Sequence, residues 1–305
     1  MKKTLSVFFK ALQIVLVLAL LIYVLLPLFR NAGAFKNTLL TLKPVPFFFG
    51  VIILCLVILC YPFIWRSILK SLGFEIDSRT SLTSWIYSNI GKYIPGKIWQ
   101  FVGRSALTKE VRPEITLFTV FLEVAISFSA AIMVFFLRFL IVKNLPVLWL
   151  LYATTLFLLL IGIQHPKIIQ FCLRLLYKIR KQDENFANYS LSLKNNMILF
   201  GVYFVLWILT GFSFWVMVQG SEIKVSLVDA VTTYPISWIL GYLFLIAPAG
   251  LGVRESILMT LLKGYYPDHV ASAFSIITRI ALVISDFFLF FVVWLFNNFL
   301  CKRER

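Results

Sequence analysis

Charge is scarce in this sequence, and negative charge is scarcest: 13 acidic residues stand among 305, against 29 lysines and arginines. Charged residues make up 14% of the chain, where soluble domains run to about 25%. That deficit excludes a soluble monomer, and 61% hydrophobic residues exclude disorder. Histidine occurs only as His165 and His269, at segment ends, and cysteine as Cys55, Cys60, Cys172 and Cys301, without C-x-x-C spacing. No metal site is therefore expected, and Cys55 and Cys60 read as small hydrophobes. A phosphate-binding loop of the form G-x-x-x-x-G-K-[ST] is missing, so no ATPase of that kind and no cofactor are anticipated. Long polar stretches are missing as well. The longest runs from His165 to Asn196, too short for a separate soluble catalytic domain.

Apolar runs of spanning length fill most of the rest. They are Ala11–Phe29, Val45–Trp65, Ile115–Leu137, Leu145–Gln164, Met197–Val218 and Val270–Phe296. The first follows Lys2, Lys3 and Lys10 as a signal peptide would. It lacks a small-x-small cleavage site, so it is expected to stay as a helix. The fold class is accordingly all-α, a polytopic membrane helical bundle forming a single transmembrane domain over residues 1–305.

Two regions do not fit a plain span. Leu82–Ile94 is followed by Pro95-Gly96 and a second short leg to Thr108. Val228–Ala247 is followed by Pro248-Ala249-Gly250-Leu251-Gly252 and then Val253–Tyr266. Each leg of the first reaches about 20 Å at 1.5 Å per residue, short of the roughly 30 Å hydrocarbon core. The reading is a re-entrant hairpin with a broken tip; the second region is a deeper hairpin or two full crossings.

With the N-terminus in the cytoplasm, seventeen lysines and arginines fall inside and seven outside; of the other five, four lie within the two unusual regions and Arg279 in the last span. The bias places both termini in the cytoplasm and makes nucleic acid an unneeded explanation of the net +16. Apolar and basic residues at helical spacing over Lys167–Lys181 predict an amphipathic helix on the inner leaflet, within a cytoplasmic linker of about 165–195.

The unusual regions resemble each other. Ser84-Trp85-Ile86 and Ser237-Trp238-Ile239 are each followed by a proline ten residues after the tryptophan, Pro95 and Pro248, all at one offset of 153. Glycines and an arginine come next: Gly96, Gly103 and Arg104, then Gly250, Gly252 and Arg254. The predicted repeats cover about 45–140 and 197–299. The basic bias makes them inverted, an arrangement with binding sites where broken helices meet near the midplane.

Charges at membrane depth are functional candidates by default. Glu123 lies on a polar, small-residue stripe with Thr119, Ser127 and Ala130, and Arg279 shares a face with Ser275 and Asp286. Arg254 and Glu255 open the second half-helix, where free N–H groups favour an anion. Lys92, Lys97 and Arg104 surround the first tip. Static ion pairs account for some of these charges. The excess of basic residues over acids points to an anionic ligand, for which phosphate suits arginine and lysine. The site expected is Arg254, Arg279, Arg104 and Lys97 on a lipid phosphate, with Glu123, Glu255 and Asp286 pairing the cations. Pro95, Gly96, Pro248, Gly250 and Gly252 form the tips.

Ala247-Pro248-Ala249-Gly250-Leu251-Gly252-Val253-Arg254-Glu255 resembles the P-x-G-L-G-V-R-E signature of the lysylphosphatidylglycerol synthase transmembrane region, a flippase-like family of integral membrane proteins. Asn89–Arg104, with Tyr93-Ile94-Pro95-Gly96-Lys97, is similar to the family's first motif, and Glu123 and Thr278-Arg279 to its intramembrane charges. The resemblance spans about residues 10–300. Ala249 departs from it, since glycine is usual there. The resemblance implies lipid translocation in the bacterial cytoplasmic membrane, by a stand-alone member without the aminoacyltransferase domain of the best-known members. The expected cargo is an anionic lipid or a polyprenyl-phosphate-linked glycolipid, with cell-envelope biosynthesis enzymes as further partners. The alternatives are an accessory membrane subunit and a lipid-dependent transferase. An enzyme is not expected: Arg30–Pro44 offers no acid for a glycosyltransferase, and no span holds the histidine of an acyltransferase.

Overall fold

The structure, a computed structural model, describes residues 36, 40–94, 98–141, 147–179, 192–221, 223–244 and 247–303. The expected span Ala11–Phe29 lies outside them, as do the tip residues Pro95 and Gly96 and the site candidate Lys97. Among the described residues there are helices and turns but no strand. In chain order the α-helices are α1 (Pro44–Ser71), α2 (Ser78–Ile90), α3 (Ile98–Leu107), α4 (Pro113–Ile141), α5 (Val147–Ile163), α6 (Pro166–Ile179), α7 (Leu193–Met217), α8 (Leu227–Leu243), α9 (Val253–Leu262) and α10 (Asp268–Arg303). Single 3-10 turns follow α2 at Gly91–Tyr93 and precede α9 at Pro248–Gly250.

Proline opens α1, α4 and α6, where its missing N–H is no loss and its fixed φ already suits the helix. Four helices, α1, α4, α7 and α10, are long and apolar enough to cross a membrane. The pair α5–α6, bent by 65° at its break, makes a fifth if taken as one span. The helices overrun their apolar cores. α1 continues past Trp65 because Ile68 and Leu69 are still fully buried. α7 starts at Leu193, before the apolar run, because Ser192 Oγ accepts the Asn195 N–H at 3.2 Å.

The shorter helices form the two irregular regions. α2 starts at Ser78, where the Asp77 side chain caps it by accepting the Thr80 N–H at 2.9 Å. α2 packs against α3, and α8 against α9. With 13 and 10 residues, α2 and α3 are about 20 and 15 Å long; α8, with 17, is about 26 Å, and α9, with 10, about 15 Å. All four fall short of the hydrocarbon thickness. The first hairpin closes tightly: a Cβ on Gly91 would meet the Trp99 and Gln100 backbone at 2.8 Å.

The chain forms two compact units, each gathered from separate stretches. One takes its described residues from Met1–Leu54, Lys92–Lys97 and Leu209–Ser285 and contains α8 and α9; it is called the α9 unit below. The other takes Cys55–Gly91, Ile98–Ile208 and Asp286–Arg305, and contains α2–α6; it is the α4 unit. In the latter, 72% of the most apolar window of α4 is buried, against 44% for each of the other long helices, so α4 forms its core. Ala125, Ser129, Ala130 and Ala131 on α4 are buried small residues, the kind that allow close helix approach.

Candidate functional site

Among the described residues each unit holds a cluster of buried charge that links a hairpin to the long helix that follows it, and Arg138 of α4 is fully buried as well. In the α4 unit Arg104 of α3 pairs with Glu123 of α4. Arg104 is 1% exposed and Glu123 6%. The guanidinium lies between two indoles, 5.1 Å from the ring centroids of both Trp65 and Trp85. Its Nε donates to Ser88 Oγ at 3.3 Å. Trp85 Nε1 and the Tyr203 hydroxyl donate to Glu123 Oε1 at 2.9 and 3.3 Å. Tyr61 stacks on Trp85 and on Tyr203, and Trp65 Nε1 donates to Thr119 Oγ1 at 3.1 Å. A charge pair taken out of water is tolerated when its remaining hydrogen-bonding capacity is satisfied, and that is achieved here by aromatic donors and rings. Arg104, one of the four expected phosphate ligands, is thus committed to a closed pair. In the same unit Asp286 of α10 accepts the Asn89 Nδ2–H at 2.8 Å.

The cluster in the α9 unit is built around the tip of the second hairpin. The chain leaves α8 at Phe244, turns through Pro248–Gly250 and opens α9 at Val253. Gly250 and Gly252 have φ of 70° and 80°, which glycine adopts freely. Ala249 has φ 49°, ψ 20°, the only non-glycine in the left-handed region among the described residues. Gly250 also touches the other leg: a Cβ there would lie 2.8 Å from the Gly241 carbonyl oxygen. Gly241 in turn leaves room for Arg254, whose Cγ occupies the place of the missing Cβ.

Arg254 donates to the Tyr234 hydroxyl, and its guanidinium lies 5.1 Å from the centroid of the same ring. Glu255 accepts the Gly252 N–H with Oε2 at 2.7 Å, filling the helix N-terminus with its own carboxylate. Its Oε1 is 3.7 Å from Arg279 Nε. Arg279, on α10, donates from Nη1 to the Ala249 carbonyl at 3.0 Å. Its guanidinium also lies 5.9 Å from the ring centroid of Tyr93, which belongs to the first motif. Tyr234, Ser237, Arg254, Glu255, Leu258, Ser275, Thr278 and Arg279 line a crevice with about 170 Å³ of empty space, none of it wide enough for a water molecule. Two guanidinia and one carboxylate therefore leave one positive charge in excess around a narrow crevice.

Among the described residues no cluster of histidine, cysteine, aspartate and glutamate has the makings of a metal site. What the arrangement offers chemically is the N–H donors of two arginines, a donor set suited to an anion.

A family model for the lysylphosphatidylglycerol synthase TM region matches residues 11–289. The chain belongs to this family. Its membership makes it a membrane protein of lipid or cell-envelope biosynthesis, in accord with the helical architecture. A search of curated proteins finds no match. The signature residues of the lysylphosphatidylglycerol synthase family resemblance, Pro248 to Glu255, are those that build the tip and its charge cluster.

Several residues of the site are not evident as candidates in the sequence: Tyr234, Gly241, Trp65 and Tyr203. For the hairpin residues a signal exists. Ser88 and Arg104 are equidistant in sequence from Gly96, and Gly241 and Arg254 lie almost symmetrically about Pro248, so residues on the two legs counted back from a hairpin tip face each other. Trp65 and Tyr203 sit on separate long helices, and nothing in their local sequence separates them from other span aromatics.

Proposed function

We propose that the chain binds an anionic lipid, or a polyprenyl-phosphate-linked glycolipid, and moves it across the bacterial cytoplasmic membrane. It works as a multi-pass carrier with both termini in the cytoplasm, and not as an enzyme. The observation that carries this reading is the tip cluster: Arg254, held on Tyr234, and Arg279, paired with Glu255 and bonded to the Ala249 carbonyl, are gathered at the tip of a broken helix. An excess charge so placed is favourable only with an anionic guest, and arginine binds phosphate with two parallel hydrogen bonds.

The crevice is too narrow to admit a guest, which enters when Arg279 releases the Ala249 carbonyl and the tip moves away from α10. Two inverted repeats are part of the reading. Their duplication is supported by a shared plan: in each, an arginine of the second hairpin leg lies 5.1 Å from an aromatic ring of the first leg. Each also has an ion pair between hairpin and following helix, with the signs exchanged: Arg104–Glu123 and Glu255–Arg279.

The test is reconstitution in vesicles with a labelled anionic phospholipid, scoring its appearance in the opposite leaflet. Arg254→Ala and Arg279→Ala should insert normally and lose at least tenfold in rate, while Arg174→Ala on the exposed part of α6 should not. Wild-type rates for both variants would remove the site. No protein-dependent movement with any phospholipid or polyprenyl phosphate would favour an accessory subunit instead.

A further inference from the structure

The turn of the first hairpin takes part in the tip cluster of the second. α2 ends at Ile90, and the close approach of Gly91 to the backbone of Trp99 and Gln100 makes the turn tight. The next two residues, Lys92 and Tyr93, complete the 3-10 turn and belong to the α9 unit, as do Arg254, Glu255 and Arg279. Both are half-buried.

One ring serves two cations here. Arg279 Cζ lies 5.9 Å from the centroid of the Tyr93 ring and Lys92 Nζ lies 5.4 Å from the same centroid, so the two charges are at most 11.3 Å apart. Both distances fall within the roughly 6 Å over which an aromatic ring attracts a cation. Arg254 rests on Tyr234 in the same way, 5.1 Å from its centroid. Each arginine of the cluster therefore has an aromatic seat, Tyr234 from a leg of the second hairpin and Tyr93 from the turn of the first. A ring face attracts a guanidinium without taking up an N–H, so the seat orients the arginine and leaves its donors for a guest. Lysine brings a point charge with three donors on a flexible stem, able to follow a phosphate that changes places with Glu255.

The first hairpin has no other described cation to give. Its arginine, Arg104, is paired with Glu123, and leaving would strand a buried carboxylate.

We infer that Lys92 and Tyr93 complete the headgroup site at the second tip: Tyr93 is a positioning residue that seats Arg279, and Lys92 gives a third cation to the phosphate of the bound lipid. This rests on the reading that Arg254 and Arg279 bind an anionic headgroup, and it names what the first motif adds to them.

The experiment is native mass spectrometry of the purified chain in detergent, titrated with dioctanoyl phosphatidylglycerol, with the thermal unfolding midpoint of every variant as a check of folding. Lys92→Gln should weaken binding about tenfold, the loss expected for one charge-assisted contact, and Lys92→Arg should keep most of the affinity. Tyr93→Leu should weaken binding several-fold, whereas Tyr93→Phe, which keeps the ring, should not. In the Arg279→Ala background Tyr93→Leu should cost nothing more, because the ring acts through that arginine. Wild-type affinity in Lys92→Gln overturns the third cation, and wild-type affinity in Tyr93→Leu overturns the seat. A loss in Tyr93→Leu that Phe does not rescue, or that persists in full without Arg279, overturns the seat as well. In each of these cases Arg254→Ala still weakens binding and the tip cluster stands; unchanged binding in Arg254→Ala removes the underlying reading instead.

Discussion

Glu255 faces Arg279 across 3.7 Å with one carboxylate oxygen while the other accepts the Gly252 N–H at 2.7 Å. The acid thus occupies both positions that would hold an incoming phosphate: the helix N-terminus and the guanidinium. In the proposed carrier cycle a lipid headgroup competes with it, and release of the headgroup restores the pair. Glu255→Gln keeps an acceptor oxygen for Gly252 but removes the competing charge. It should bind short-chain phosphatidylglycerol about tenfold more tightly, a difference of about 1.4 kcal/mol, and release it more slowly. Titration by native mass spectrometry reads the first effect and vesicle transport the second. Weaker binding in Glu255→Gln would mean that the carboxylate chiefly orders the arginines.

Gly241→Ala tests the site without touching a charge. The added Cβ takes the place of Arg254 Cγ, so the side chain must leave Tyr234. The clash is near the base of the arginine, where the chain has little freedom to give way. Transport should fall to the level of Arg254→Ala, with helicity and insertion unchanged by circular dichroism and protease accessibility. Full activity would show that the position of Arg254 against Tyr234 is immaterial.

The first hairpin is legible in the sequence because Pro95-Gly96 leaves legs too short to span, whereas Val228–Ala247 is long enough to cross and leaves the second region open between a deeper hairpin and two crossings. Glu123, Arg254 and Arg279 are legible because charge is rare in apolar helices. What the sequence does not reveal is who answers whom. Arg104 and Arg254 follow the same pattern of tip and glycine. Yet Arg104 is sealed between Trp65 and Trp85, one of them from a helix distant in sequence. Asp286 shares a helical face with Arg279, yet the structure sets it against Asn89 of α2, a contact 197 positions apart. Periodicity orders one helix at a time, and these partners come from several.

Ala249 stands where the family signature resembled here has glycine, and its φ of 49° carries the cost of that exchange. A left-handed conformation costs an L-residue roughly 1–2 kcal/mol. Glycine adds back about 0.5–1 kcal/mol of unfolded-chain freedom. Ala249→Gly should therefore stabilise the protein by about 1 kcal/mol or slightly less, seen as a higher midpoint of thermal unfolding in detergent. A lower midpoint would mean that the Ala249 methyl group contributes packing that outweighs its strain.

The start of α2 gives a pH dependence outside the spans. The hydrogen bond from Thr80 holds the Asp77 carboxyl below its usual value of 3.8. A depressed folded-state pKa means that the cap stabilises at and above the unfolded value, and that this stability is lost as pH falls through the folded one. Asp77→Ala should cost about 1 kcal/mol at pH 7. The gap between wild type and variant should close below pH 3.8, measured by unfolding at a series of pH values. A gap independent of pH would remove the carboxylate as the cause.

The Arg104–Glu123 pair separates holding the fold from handling a lipid. Both groups are buried and enclosed by Trp65, Trp85 and Tyr203, so removing one strands the other. Breaking a buried pair on one side costs about 3–5 kcal/mol, whereas replacing both partners by apolar groups of similar volume is often close to neutral. Arg104→Ala should then lower the folded yield and unfolding midpoint sharply, and Glu123→Leu should do the same. The double variant Arg104→Met/Glu123→Leu should recover most of the stability. If the pair only holds the helices, the double variant also recovers transport in vesicles. If Arg104 or Glu123 exchanges partners during the cycle, stability returns and transport does not. The two readouts on one variant distinguish a lock from a moving part.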